Sequence, residues 1–118
     1  MNRRKKGLGA ENFAKEYLEH IGYKILGKNY CIRGGEIDII AEVEKEIVFV
    51  EVKSLANEDT ISLEETVTEK KTKSLIRASK HWLKTQNFDN IDWRIDFIGL
   101  IVDNGKIKKL KHLQNAIY

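Results

Sequence analysis

The stretch Gly34–Lys53, GGEIDIIAEVEKEIVFVEVK, limits the fold more than any other part of the chain. Two runs rich in β-branched residues, Glu36–Glu42 and Glu46–Lys53, flank a tight turn near Val43–Lys45, which predicts a β-hairpin. The turn has no Asn-Gly or Asp-Gly, so two registers stay open. Side chains two apart on a strand share a face. Glu36 and Asp38 are therefore expected together, with Ile37 and Ile39 on the other side, and Glu51 and Lys53 likewise oppose Val50 and Val52. A turn at 44–45 sets Asp38 opposite Glu51 and Glu36 opposite Lys53, whereas a turn at 43–44 sets Glu36 opposite Glu51. Either register gathers three carboxylates and one ammonium on one face.

Like charges facing each other across strands are unfavourable, and the neighbouring runs IDII and IVFV read as buried on both faces. One reading is a solvated hairpin face. The other is a site that a divalent cation neutralises, and three acids against one base favour it. Two carboxylates, waters and a substrate phosphate suit Mg²⁺ or Mn²⁺. Such an ion polarises a phosphoryl oxygen and acidifies water, while Lys53 orients that water or stabilises the developing charge.

The remaining pattern predicts one domain over residues 1–118, with a flexible basic N-terminus at 1–6. A helix is expected over Leu8–Ile21, with Ala10, Phe13, Ala14, Tyr17, Leu18 and Ile21 on its apolar face. A strand is expected over Tyr23–Ile32, bulged or bent near Gly27, and an irregular loop over Leu55–Glu65. A second helix runs from Glu65 or Thr66 to Gln86, followed by strands at Ile91–Val102 and Lys106–Leu110. The order αβββαββ gives an α/β (α+β) fold, a mixed central sheet of about five strands flanked by helices.

Charged residues make up 33% of the chain but net charge is only +3, so the distribution of charge matters more than its sum. Lys70, Lys73, Arg77, Lys80 and Lys84 form a basic stripe on the second helix, opposite Leu75, Ile76, Ser79, Trp82 and Leu83. Such a stripe is either a solvated face or a phosphate contact. Lys71 stands on the apolar side, where it snorkels or reaches toward the hairpin carboxylates. Arg33 and the cluster Lys106, Lys108, Lys109, Lys111 are further candidates to meet a nucleic-acid backbone. Trp82 and Trp93 read as core, and Asp96 as a buried acid near the site or a lone edge charge. His20, His81 and His112 lack metal-ligand spacing. Cys31 is the lone cysteine, which fits a reducing, cytoplasmic setting, and no apolar run approaches a membrane span.

GGEIDIIA followed by VFVEVK resembles the YraN family of uncharacterised bacterial proteins, whose fold is restriction-endonuclease-like. That fold carries the D…ExK motif of Holliday-junction resolvases and other PD-(D/E)xK nucleases. The similarity runs from GLGAENFAKEYLEHIGYKIL through NYCIRGGEIDIIA and VFVEVK, fades in the loop, and resumes at EETVTEKKTKSL. It implies that Asp38 and Glu51 are metal ligands, joined by the main-chain carbonyl of Val52, and that Lys53 is the catalytic lysine. It likens Glu11 to the outer carboxylate of the resolvases, matches Glu36 to the family's GEID, and matches Lys71 to a family lysine. Leu55 stands where the family commonly has Arg, and ISLEE replaces a Gly-containing segment.

The expected function is a Mg²⁺- or Mn²⁺-dependent endonuclease acting on branched or structured DNA, with DNA favoured over RNA. Arg33, Lys70, Lys71, Lys73 and Arg77 would contact nucleic acid. Resolvase-like enzymes often form homodimers, and no residue here marks a dimer surface. The competing expectation is a non-catalytic nucleic-acid- or protein-binding module that keeps the fold.

Overall fold

The computed structural model describes residues 3–56 and 62–116, with only the backbone described for 3–8. Its elements follow in the order α1 (Arg3–His20), β1 (Lys24–Ile32), β2 (Gly35–Val43), β3 (Glu46–Leu55), α2 (Glu69–Thr85), β4 (Asp92–Asp103) and β5 (Lys106–Leu113). The strands form one sheet in the order β1-β2-β3-β4-β5. All neighbours are antiparallel except β3 and β4, whose parallel pairing requires the long crossover that contains α2. The expected mixed α+β sheet is therefore present. Among the described residues, no helix is long and apolar enough to cross a membrane.

Each helix covers one face of the sheet. Ala14 and Leu18 of α1 pack with Ile39, Ala41, Val48, Val50, Ile98 and Leu100. On the other side Leu75, Ala78, Trp82 and Leu83 of α2 pack with Ile37, Ile40, Ile47, Phe49, Ile95 and Phe97. Trp82 and Trp93 both pack perpendicular to the Phe49 ring, as core residues do.

Several expectations need correction. The α1 backbone begins at Arg3, so Arg3–Lys6 are helical rather than outside the helix. Phe13 and Ile21, assigned to its buried face, are 43% and 42% exposed, because Ala14, Leu18 and the half-buried Tyr17 already meet the sheet. The second helix starts at Glu69, later than expected, where the Thr68 hydroxyl accepts the Lys71 N–H as an N-cap. A short 3₁₀ turn at Glu64–Thr66 precedes it, and Leu63 packs over Gly99. Residues 57–61 of the expected loop lie outside the described residues. Strand β5 runs three residues further than expected, to Leu113, which brings His112 into the sheet.

The hairpin turn is Glu44-Lys45, both with positive φ (48° and 67°), the geometry whose twist matches the flanking strands. This selects the register with Val43 opposite Glu46 and Ile39 opposite Val50.

A fork between two strands as candidate functional site

The β2–β3 ladder stops at Ile39–Val50. Beyond that point β2 stays paired with β1 as far as Ile32–Gly35, and β3 stays paired with β4 as far as Leu55–Ile101. The sheet therefore opens into a fork, and Asp38 sits where it opens. The register with β1 passes from Lys28–Ile39 to Tyr30–Ile37 and skips Asp38, next to Asn29 with its left-handed φ of 55°.

The side-chain alternation breaks at this point. Ile37 packs with the α2-side cluster and Ile39 with the α1-side cluster, not on one face together as simple alternation requires. The expected single face of three carboxylates is consequently absent. Glu51 faces α2, and Lys53 follows it by strand parity. Glu36, half-buried, lies near enough to Glu11 of α1 to raise its pKa. Asp38 points between these groups, and its Oδ2 accepts the Val52 N–H at 2.7 Å. That carboxylate takes the place of the carbonyl that β2 no longer offers. A strand residue's N–H and C=O leave the same edge, so the Val52 carbonyl opens into the same gap.

The acids converge from three elements. Asp38 and Glu51 are 7% and 5% exposed. Burial, and then the Glu51 charge, raise the Asp38 pKa to about 8, and a hydrogen bond between the two carboxyl groups acts in the same direction. Near neutral pH the Asp38 carboxyl therefore keeps its proton. Glu11 hydrogen-bonds both Asn29 and Asp38, and its pKa is also raised, chiefly by burial. Asn29 is a site residue that sequence reasoning missed. Its signal was an Asn inside a strand pattern, a residue tolerant of positive φ.

Positive charge reaches the fork from α2. Lys71 Nζ lies 2.9 Å from Glu51 Oε2. Among the described residues, Lys53 forms no ion pair with Asp38 or Glu51. Of the two readings of Lys71 on the apolar side of the helix, the structure shows the one that reaches the hairpin carboxylates, as a partner of Glu51; its expected contact with nucleic acid is a separate matter. Arg33, Lys70, Lys73 and Arg77 are exposed. Arg77 lies against the Arg33-Gly34 turn, where its Nη1 would be 2.9 Å from a Cβ added at Gly34. Gly35 passes so close to α2 that an added Cβ would stand 2.8 Å from the Ser74 carbonyl oxygen. The two glycines thus serve different needs: Gly34, at φ +85°, makes the turn, and Gly35 lets the helix approach. Leu55 is buried in the α2-side core, away from solvent.

The oxygens gathered here are hard donors, the class Mg²⁺ and Mn²⁺ take. Among the described residues, no group of three or more His, Cys, Asp or Glu side chains is placed to hold a metal ion.

Asp96, left open as a buried acid near the site or an edge charge, belongs elsewhere. It is fully buried and shares the α1 face of the sheet with Ile98 and Leu100, opposite the face of Glu51. Arg94 Nε (3.0 Å) and the Asn115 N–H (2.9 Å) donate to its Oδ1, and His112 Nε2 (2.8 Å) donates to Oδ2. The other ring nitrogen, Nδ1, lies 2.9 Å from the Tyr17 hydroxyl. Arg94 also pairs with Glu46 and donates to the Tyr23 hydroxyl, both at 2.7 Å.

Comparison with known proteins agrees with the sequence resemblance at the family level. A model of the uncharacterised protein family UPF0102 matches residues 10–100. A UPF0102 protein of Sulfurihydrogenibium sp. (strain YO3AOP1) is 41% identical over 116 residues, covering 98% of this chain and 96% of its own. A UPF0102 protein of Carboxydothermus hydrogenoformans is 40% identical over 117 residues, covering 99% and 98%. Another, from Vibrio parahaemolyticus, is 40% identical over 117 residues, covering 98% and 94%. Similarity of this extent, reaching both sides of the fork, means that the chain belongs to the UPF0102 family, which is the YraN family its motifs resemble.

Proposed function

We propose that the fork is the centre of a divalent-metal-dependent endonuclease of the restriction-endonuclease-like superfamily, hydrolysing phosphodiester bonds in branched or structured DNA. The observation that carries this reading is the meeting of two buried carboxyls, Asp38 and Glu51, at the point where the β2–β3 ladder ends. A structural acid pair gains nothing from that arrangement. A pair that binds a cation exchanges its proton for one.

Asp38 and Glu51 would hold Mg²⁺ or Mn²⁺ with the Val52 carbonyl, and Glu11 would act through Asp38. The bound ion supplies charge stabilisation at a phosphoryl oxygen and acidifies water. Lys53, half-buried on the Glu51 side, orients the attacking water or meets the developing charge on phosphate. Arg33, Lys70, Lys73 and Arg77 present a basic surface beside the fork for the backbone of the nucleic acid.

The test incubates the chain with branched, single-stranded and duplex DNA plus Mn²⁺. Cleavage should fall at least about 100-fold in Asp38→Asn and Glu51→Gln, as for loss of a group acting on the transition state. Mn²⁺ should raise the Tm of the wild type and leave that of Asp38→Asn unchanged. Equal cleavage by wild type and Asp38→Asn rejects the proposal. Salt-sensitive DNA binding with neither Mn²⁺ binding nor turnover identifies the non-catalytic module instead.

A further inference from the structure

Glu51 and Lys71 are unequal partners. The Glu51 side chain is 6% exposed and fixed in the middle of the sheet, whereas that of Lys71 is 29% exposed. The Lys71 backbone is anchored by the Thr68 cap, so only its flexible stem places Nζ on Glu51 Oε2. A divalent cation touching Glu51 would stand within a few ångströms of that ammonium. Repulsion there is twice that between unit charges, at a carboxylate largely out of water. The stem has room to relieve it and Glu51 does not.

We propose that Lys71 is a positioning residue that couples cation binding to phosphate binding. It holds Glu51 Oε2 in the cation-free fork, releases that oxygen to a divalent cation, and turns its ammonium to the substrate phosphate. This rests on the nuclease reading and assigns a role to a lysine other than the ExK lysine. The consequence is reciprocal: phosphodiester tightens cation binding, and cation tightens phosphodiester binding, by the same factor.

Calorimetric titration of the chelator-treated protein with Mn²⁺, with and without an uncleavable phosphorothioate oligonucleotide, tests the coupling. Lys71→Met keeps the apolar stem and should bind Mn²⁺ about tenfold tighter than wild type without oligonucleotide, the low end for a close charge pair. It should also lose the tightening that the oligonucleotide gives the wild type. Lys24→Met, an exposed change of equal charge on β1, should match the wild type. Equal or weaker Mn²⁺ binding by Lys71→Met overturns the coupling and leaves the nuclease reading intact. No Mn²⁺ binding by wild type or Lys71→Met overturns both. Should Lys71→Met fail to fold, amine labelling of the wild type decides: Mn²⁺ should speed modification of Lys71 about threefold or more in wild type and not in Asp38→Asn. Unchanged labelling in the wild type overturns the coupling.

Discussion

Asp38 and Asp96 are both buried aspartates in strands of one sheet, and the protein treats them in opposite ways. Burial disfavours the charge of each. At Asp96 the donors His112, Arg94 and the Asn115 N–H more than offset burial, and its pKa lies below the ordinary carboxylate value. At Asp38 burial, Glu51 and Glu11 outweigh the Val52 N–H, which favours the charge, and its pKa rises to about 8. Burial alone therefore does not mark a functional acid. What distinguishes the two is whether the protein's own donors complete the hydrogen bonding of the ionised carboxylate.

The largest test of this contrast is Asp96→Ala. It should destabilise the fold by about 3–5 kcal/mol in urea titration, because Arg94 and His112 lose a buried anionic partner. A loss under about 1 kcal/mol would show that Asp96 is not the structural member of the pair. The two acids should also differ in the sign of their pH dependence. The lowered pKa of Asp96 contributes stability that is present above the unfolded value of about 4 and is lost as pH falls through its folded pKa. The raised pKa of Asp38 acts the other way: its contribution is full below about pH 4 and is lost as pH rises toward its folded value of about 8. In metal-free buffer, wild type should therefore lose up to about 1.4 kcal/mol per pH unit relative to Asp38→Asn across that window. Parallel pH profiles for the two proteins would remove the strained pair from the description.

Gly35→Ala tests whether the fork depends on the close approach of α2. The new methyl would press on the Ser74 carbonyl and Ala78, costing about 1–3 kcal/mol. Tighter Mn²⁺ binding in the absence of oligonucleotide should accompany that loss, since pushing α2 outward draws Lys71 off Glu51. The smallest effect is expected of Asn29→Gly, which keeps the left-handed backbone and removes the hydrogen bond to Glu11, a change of about 0.5–1.5 kcal/mol. Nuclear magnetic resonance titration should show the Glu11 pKa rising further. A fall would mean that Asn29 does not support the carboxylate.

By itself the sequence determined the element order, the hairpin and the chemistry of its charged residues. The alternation of Ile, Val and Phe with Glu and Asp is local, and the period of a strand follows from backbone geometry alone. The identity of Asp38, Glu51 and Lys53 as the residues to watch was legible for the same reason, sharpened by the family motifs. Tertiary structure decided the rest. The end of the β2–β3 ladder at Ile39–Val50 depends on what each strand pairs with on its outer side, and no local period encodes that. The break in alternation at Asp38 follows from that divergence, so Glu36 and Glu51 end on different sides of the sheet instead of together. Helix docking chose the site over snorkelling for Lys71, a positive φ brought Asn29 in, and the open question of Asp96 was decided by β5, which extends far enough to bring His112 over it. Residue type fixed which groups were able to carry charge. Only long-range packing decided which of those charges the protein satisfies itself.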